Sequence, residues 1–159
     1  MNIIITLPIN LVAEIANGHK QVEIRKHKPF DFDTENDVVW VKIKGSDKVA
    51  MCLEISFFEE SQDTDNVWQR YKNVIGVPFA WWHTYVCFAH KVVIWHIKRV
   101  HIFMPHLCFS QTFPGKKAPQ SFIYTDVTLK SIMVMVKSVR CYETDGKTRR
   151  EVPQKKAIQ

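Results

Sequence analysis

Three charged side chains of both signs lie close together near the start of the chain, at Lys20, Glu23 and Arg25. Gly18, just before them, suits the left-handed conformation that ends a helix. In the strand predicted to follow, alternate residues face the same side, so Glu23 and Arg25 share a face roughly 6.5–7 Å apart. Lys20 falls at the corner between helix and strand, where its long stem can turn toward either face. This segment is the first candidate for a functional site.

Two kinds of chemistry and one structural role are open to these residues. For binding, Lys20 and Arg25 supply cationic donors for a phosphate or a base edge, and Glu23 can orient Arg25 or accept from an exocyclic amine. For catalysis, a partly buried Lys20 of lowered pKa can act as base or nucleophile, with Glu23 as acid–base partner. A neighbouring glutamate stabilises the charged amine, which weakens the lysine as a base. The structural alternative is an ion network that braces a cleft, and of the three we favour binding.

Aromatic side chains would add a stacking surface for a nucleobase, worth roughly 1–3 kcal/mol per base. The chain contains five tryptophans, and we take Trp40, Trp81, Trp95 and Phe122 as stacking candidates. Most tryptophans at apolar spacing belong to a core, so we expect about one or two of them at a cleft.

The charge distribution points to an anionic partner. The net charge is +6 and the pI is about 9.2. Residues 1–66 hold seven Lys/Arg and twelve Asp/Glu, whereas residues 67–159 hold fifteen and four. This asymmetry favours a polyanion, with nucleic acid the usual candidate. The alternative is that the excess belongs to a solvated tail at 147–156. Lys116 and Lys117, at a predicted loop tip, are either phosphate contacts or part of a solvated turn.

Cysteine and histidine spacing indicates neither a metal nor a cofactor. The chain has seven histidines and four cysteines, and none stands at a recognisable ligand spacing. The cysteines are predicted to be reduced core thiols, which favours a cytoplasmic protein; they are Cys52, Cys87, Cys108 and Cys141. No apolar run approaches the ~18–20 residues of a membrane span, and the start does not resemble a signal peptide.

Hydrophobic patterning predicts one domain in which strands dominate and short helices interrupt them. The first helix is predicted to be capped by Asn10. We expect strands at 3–7, 21–26, 38–44, 48–58, 92–103 and 120–124, and helices at 10–17, 67–75 and 78–86. This order favours an α+β fold, a small mixed β-barrel with helices at its ends, over a parallel α/β sheet.

Residues 125–142 carry two conflicting signals. Leu129, Met133 and Val136 follow helical spacing, whereas the Val and Ile content favours a strand. We predict a helix here, followed by a frayed polar tail.

Four segments in order resemble the ASCH family of the PUA-like superfamily. The first is the glycine-x-lysine-x-x-glutamate-x-arginine segment described above. The others are Gly76-Val77-Pro78 with Trp82 and Tyr85, the strand 92–100 followed by Met104-Pro105, and Ala118-Pro119-Gln120-Ser121-Phe122. The resemblance covers residues 3–124, so we expect an ASCH-like domain at 1–124, a helical extension at 125–142 packed on it, and a basic flexible tail at 143–159.

The resemblance implies a PUA-like barrel whose cleft is lined by Lys20, Glu23 and Arg25, with Gln120 and Ser121 among the binding residues. It also implies a role in binding RNA or a modified nucleotide. Some relatives remove the acetyl group from acetylated cytidine, and a ribonuclease activity is associated with others. The acetylcytidine hydrolases carry a threonine at the position of Glu23, which favours binding here. A small amidohydrolase remains the alternative, as does a protein-interaction module if the stripe in 125–142 is exposed.

Overall fold

The computed structural model describes residues 1–144 and 148–153. In these residues an eight-stranded sheet forms the centre, and five short helices pack around it. In chain order the elements are β1 (Asn2–Leu7), α1 (Ile9–Ala16), β2 (Val22–Arg25), β3 (Val39–Ile43), β4 (Lys48–Ser61), α2 (Thr64–Tyr71), α3 (Phe79–Val86), β5 (Val92–Cys108), α4 (Phe109–Thr112), β6 (Phe122–Thr125), α5 (Leu129–Met133), β7 (Ser138–Thr144) and β8 (Arg149–Val152).

The sheet is mixed, which confirms the α+β prediction. Its strand order is β6-β1-β3-β4-β5-β7-β8, and β2 pairs with β5 beside that path. β1 runs parallel to β3, and the other pairs are antiparallel. In the part of the chain that the structure describes, no pairing joins β6 to β8 at the two ends of this order. Closure into a barrel therefore stays a prediction.

Both faces of the sheet are buried, which explains the continuous apolar runs in β1 and β3. The first core lies under α1, where Leu11, Val12 and Ile15 face the sheet at helical spacing. The second core lies on the opposite face around Trp40, and the third lies between β2 and the helices α2 and α3. α1 begins after Pro8 and not after Asn10, because Pro8 takes the extended conformation that precedes the helix.

The helix predicted across 125–142 is correct in α5 and wrong beyond it. Residues 138–144 form β7, which pairs antiparallel with β5. β7 pairs with the edge of β5 that β4 and β2 leave open, and β-branched residues such as Val139 and Thr144 suit a strand better than a helix. Leu129 and Val136, from the predicted stripe, pack against the second core, which counts against a protein-interaction surface there. Val134 and Met135 are the exposed apolar residues of this region.

The predicted frayed tail also contains regular structure. Residues 149–152 form β8, which pairs antiparallel with β7. The remainder of that prediction, at 145–147 and 154–159, lies outside the described residues.

The cysteines differ in burial. All four are free thiols; Cys52 and Cys141 are buried, as predicted. Cys87 is exposed and Cys108 is half-buried, so the prediction of core thiols is wrong for these two, which lie where α3 and β5 end. Within the described chain, no helix has the length and apolar character needed to cross a membrane.

Candidate functional site

The structure brings Lys20, Glu23 and Arg25 together where α1 turns into β2. Gly18 ends the helix with a φ of +86°, a backbone angle that glycine adopts without strain. The backbone N–H of Lys20 then donates to the Glu14 carbonyl at 2.9 Å, which closes the corner. β2 follows, paired with β5, and places Glu23 opposite Trp95 on the face of the first core.

Lys20 is buried and fixed in place. Its Nζ donates to the Ile75 carbonyl at 2.7 Å and lies 3.6 Å from Oε1 of Glu23. Its side chain is 2% exposed. Burial lowers the pKa of Lys20, although the Glu23 carboxylate acts to raise it. Gly76 packs against its stem: a Cβ at Gly76 would lie 2.8 Å from the Lys20 Cβ. Lys20 is therefore a buried side chain that contacts the carboxylate of Glu23.

The two carboxylate oxygens of Glu23 have different surroundings. Oε1 accepts from the backbone N–H of Ile24 at 2.9 Å and faces Lys20. Oε2 lies 3.8 Å from the nearer guanidinium nitrogen of Arg25. It is buried and has no hydrogen-bond partner among the described residues. A buried carboxylate oxygen without a hydrogen bond is costly, so this atom marks a place where a donor from a ligand would be stabilising.

Arg25 links the strand to the segment that precedes β6. One guanidinium nitrogen donates to the Ser121 carbonyl at 3.1 Å. The guanidinium also lies 5.8 Å from the ring centre of Trp95, within the range of a cation–π contact. These two contacts hold the guanidinium near Glu23, and 14% of the Arg25 side chain is exposed.

A cavity of about 360 Å³ opens beside Glu23 and Arg25. This volume falls within the usual range for small-ligand sites. Trp81 and Tyr85 line it with stacked rings, their centres 4.9 Å apart and their planes 12° apart. Trp81 is 44% exposed. The other residues of the wall are Leu7, Pro8, Asn10, Leu11, Ile24, Lys44, Gly76, Val77 and Pro78.

The other predicted aromatics lie mostly in the core. Trp40 is fully buried, stacks on Phe103 and donates its indole N–H to the Val127 carbonyl at 3.2 Å. The prediction that it stacks on a ligand is therefore wrong, because α4 and α5 cover its face of the sheet. Trp95 is also fully buried, under Arg25. Phe122 is half-buried at the edge of Trp95.

The remaining predicted residues are exposed. Gln120 and Ser121 lie just before β6, and Ser121 reaches the site through the carbonyl bonded to Arg25. Lys116 and Lys117 follow α4 in an exposed turn. That turn is anchored at Phe113, which belongs to the second core and so lies across the sheet from Glu23.

Sequence reasoning did not include Tyr85 or Lys44 among the binding residues. Tyr85 follows Trp81 by four residues on α3, so helical spacing already placed both on one face. Lys26 adds a cation 5.5 Å from the Tyr85 ring. Lys44 directly follows β3, and nothing local in the sequence connects it with β2. Within the described residues, no group of three His, Cys, Asp or Glu side chains is arranged to hold a metal ion.

Comparisons with known proteins give a structural answer. No family model and no curated protein matches the sequence. Among solved structures, the ASCH protein from Zymomonas mobilis matches with a TM-score of 0.66 and 15% identity, over 86% of this chain and 96% of the other. A serine-to-alanine mutant of that protein matches with a TM-score of 0.71 and 13% identity, over 85% and 96%. A tyrosine-to-phenylalanine mutant gives a TM-score of 0.68 and 13% identity, over 85% and 98%. At 13–15% identity these matches show the fold alone. The chain has the fold of an ASCH-domain protein.

Proposed function

We propose that the protein binds RNA or a modified nucleotide, with one base held in the cavity beside Glu23. The observation that carries this proposal is that Glu23, whose buried Oε2 accepts no hydrogen bond from the described residues, lines a cavity together with Trp81 and Tyr85. An exocyclic amine or ring N–H of a base supplies the donor that this oxygen lacks. The indole of Trp81 supplies a stacking surface, and Arg25 and Lys44 supply positive charge for phosphate.

Direct titration tests this proposal. The protein is added to fluorescently labelled single-stranded RNA of mixed sequence while the anisotropy of the label is followed, at several salt concentrations between about 50 and 200 mM. The affinity is expected to fall steeply with salt, because phosphate contacts release counterions. A parallel titration with acetylated cytidine tests the free nucleoside.

Two substitutions place the ligand in the cavity. Trp81→Ala is expected to weaken binding by roughly 5- to 150-fold, which corresponds to the loss of one stacked base. Glu23→Gln, which puts an amide where the carboxylate was, is expected to weaken binding by about tenfold or more. Phe88→Ala is the matched control, because Phe88 is exposed, lies two residues beyond α3 and is not part of the cavity wall. Binding that is insensitive to salt, or that Phe88→Ala and Trp81→Ala reduce equally, would contradict the proposal.

A small amidohydrolase is the second candidate, and one observation favours it. Burial lowers the pKa of Lys20, which brings a lysine closer to the neutral form that a base or nucleophile requires. Against this, its ammonium is bonded to the Ile75 carbonyl and its side chain is almost completely buried. Incubation with acetylated cytidine decides between the two: deacetylation that Lys20→Met abolishes would establish the hydrolase, and no turnover by the wild-type protein would exclude it for this substrate.

A further inference from the structure

Arg149, in the C-terminal hairpin formed by β7 and β8, contacts the end of α1 and Gly18. Arg149, the first residue of β8, donates from its guanidinium to the Ile15 carbonyl at 3.4 Å. Its stem lies directly against Gly18: a Cβ at Gly18 would stand 2.6 Å from the Arg149 Cδ. The guanidinium is also held over the ring of Tyr142 on β7, 3.6 Å from its centre.

These contacts supply what α1 lacks at its own C-terminus. The last turn of α1 carries no basic side chain, and the carbonyls at a helix C-terminus favour a nearby cation. Arg149 brings that cation from 134 residues away in the sequence. The stacking on Tyr142 limits the rotamers of a long side chain, so the guanidinium is already oriented when it meets the helix.

We propose that Arg149 is a positioning residue for the candidate site, and that the C-terminal hairpin fixes the corner from which Lys20 and Glu23 project. Gly18 lies two residues after the end of α1 and two residues before Lys20, and Arg149 fills the space beside it. A shift of this corner changes the hydrogen bond from Lys20 Nζ to the Ile75 carbonyl, and with it the orientation of the Glu23 carboxylate that faces Nζ. The effect on ligand binding rests on the proposed function, whereas the effect on the corner does not.

Arg150 provides a matched control on the same strand. It carries the same charge but lies on the opposite face of the sheet, where its guanidinium is 3.9 Å from Glu143 and its side chain is 76% exposed. Replacing Arg149 or Arg150 with alanine therefore removes one positive charge from neighbouring positions, and only Arg149 contacts the corner at Gly18.

Amide hydrogen exchange of the free protein tests the positioning role without any ligand. The informative amides are those of Gly18 and Lys20, which donate to Ile15 and Glu14. In Arg149→Ala their exchange is expected to rise by about tenfold or more, while amides in the β1–β3 pairing change less than about twofold. Arg150→Ala should leave both sets unchanged. Arg149→Lys keeps the charge and part of the stem and should fall between wild type and Arg149→Ala.

Each alternative outcome of the exchange experiment is decisive. Unchanged exchange at Gly18 and Lys20 in Arg149→Ala would overturn the proposal, and so would an equal rise at every amide, which indicates global destabilisation. If Arg149→Ala does not fold, Arg149→Lys takes its place, and protection at Gly18 and Lys20 equal to wild type in that variant would overturn the role of the stacked guanidinium.

RNA binding tests the consequence for the site. Arg149→Ala is expected to weaken binding at least about fivefold more than Arg150→Ala, with the same salt dependence in both variants, because each loses one charge. Equal affinities in the two variants, with exchange altered only in Arg149→Ala, would show that the corner does not influence the ligand and would overturn that part. Absence of RNA binding by the wild-type protein refutes the proposed function, and the exchange experiment still decides the positioning role.

Discussion

Replacing Gly76 with alanine tests the packing that fixes Lys20. Gly76 has a φ of +75°, and a Cβ there would stand 2.8 Å from the Cβ of Lys20 and 3.0 Å from its Cγ and Cδ. The lysine stem has little room to withdraw, because its Nζ is bonded to the Ile75 carbonyl. The alanine methyl must therefore displace either the stem or the backbone before α3.

The cost has two parts of similar size. The left-handed conformation costs a residue with a Cβ roughly 1–2 kcal/mol. Overpacking against a fixed, buried side chain adds roughly 1–3 kcal/mol. Gly76→Ala should therefore lower the free energy of unfolding by about 2–5 kcal/mol, a large share of the 5–15 kcal/mol typical of a whole domain.

Two other glycines separate these parts. Gly115 has a φ of +76° and Gly45 a φ of +78°, and in both cases a Cβ would have no described atom within 4 Å apart from its own chain neighbours. Gly115→Ala and Gly45→Ala therefore report the backbone cost alone, about 1–2 kcal/mol. Equilibrium urea denaturation of the three variants measures all three costs, and the excess for Gly76→Ala measures the contact with Lys20.

One result would refute the reasoning. If Gly76→Ala and Gly115→Ala lose the same stability within about 0.5 kcal/mol, Lys20 yields without cost, and it does not support Glu23 rigidly.

Two further predictions concern stability. Trp40→Ala should cost about 3–5 kcal/mol as a large cavity in the second core, whereas Trp81→Ala should cost about 1 kcal/mol or less, and urea denaturation compares them. Burial acts to lower the pKa of His101, but the neighbouring Cys141 and Glu54 outweigh it and raise that pKa from 6.5 to about 9. The stabilisation is complete below pH 6.5 and is lost as the pH rises through 9, so the free energy of unfolding should fall by about 3 kcal/mol across that window. Glu54→Gln should reduce this fall, and an unchanged fall would refute the role of the carboxylate.

The charged segment could be predicted because its geometry is local. A glycine ends the helix, one residue forms the corner, and strand alternation places Glu23 and Arg25 on one face. This prediction does not depend on which strand pairs with β2, because alternation along the strand keeps those two side chains on one face. Tyr85 could have been predicted at the cavity for the same reason, since it follows Trp81 by about one helical turn.

The roles of the tryptophans could not be read from the sequence in this way. Trp40 and Trp81 both have apolar neighbours in the sequence. Their burial in the fold differs, because it depends on which elements cover each tryptophan. Trp40 is closed off by α4 and α5, which come from about 70 to 90 residues further along the chain. The C-terminal strand β7 was mistaken for a helix for a related reason, because the free edge of β5 that it completes is a property of the whole sheet.

The structure changes the relation between bracing and binding at Lys20. Its ammonium and the backbone N–H of Ile24 both face Oε1 of Glu23, so that oxygen is satisfied from within the protein. A carboxylate held at one oxygen presents the other in a fixed direction, and that other oxygen is Oε2, which accepts no hydrogen bond from the described residues. A buried lysine is costly to keep charged, since burial lowers its pKa. If the role were structural alone, a pair of apolar side chains in place of Lys20 and Glu23 would serve it equally well. Under the proposed function this cost has a reason, because Lys20 would orient Glu23 for the ligand.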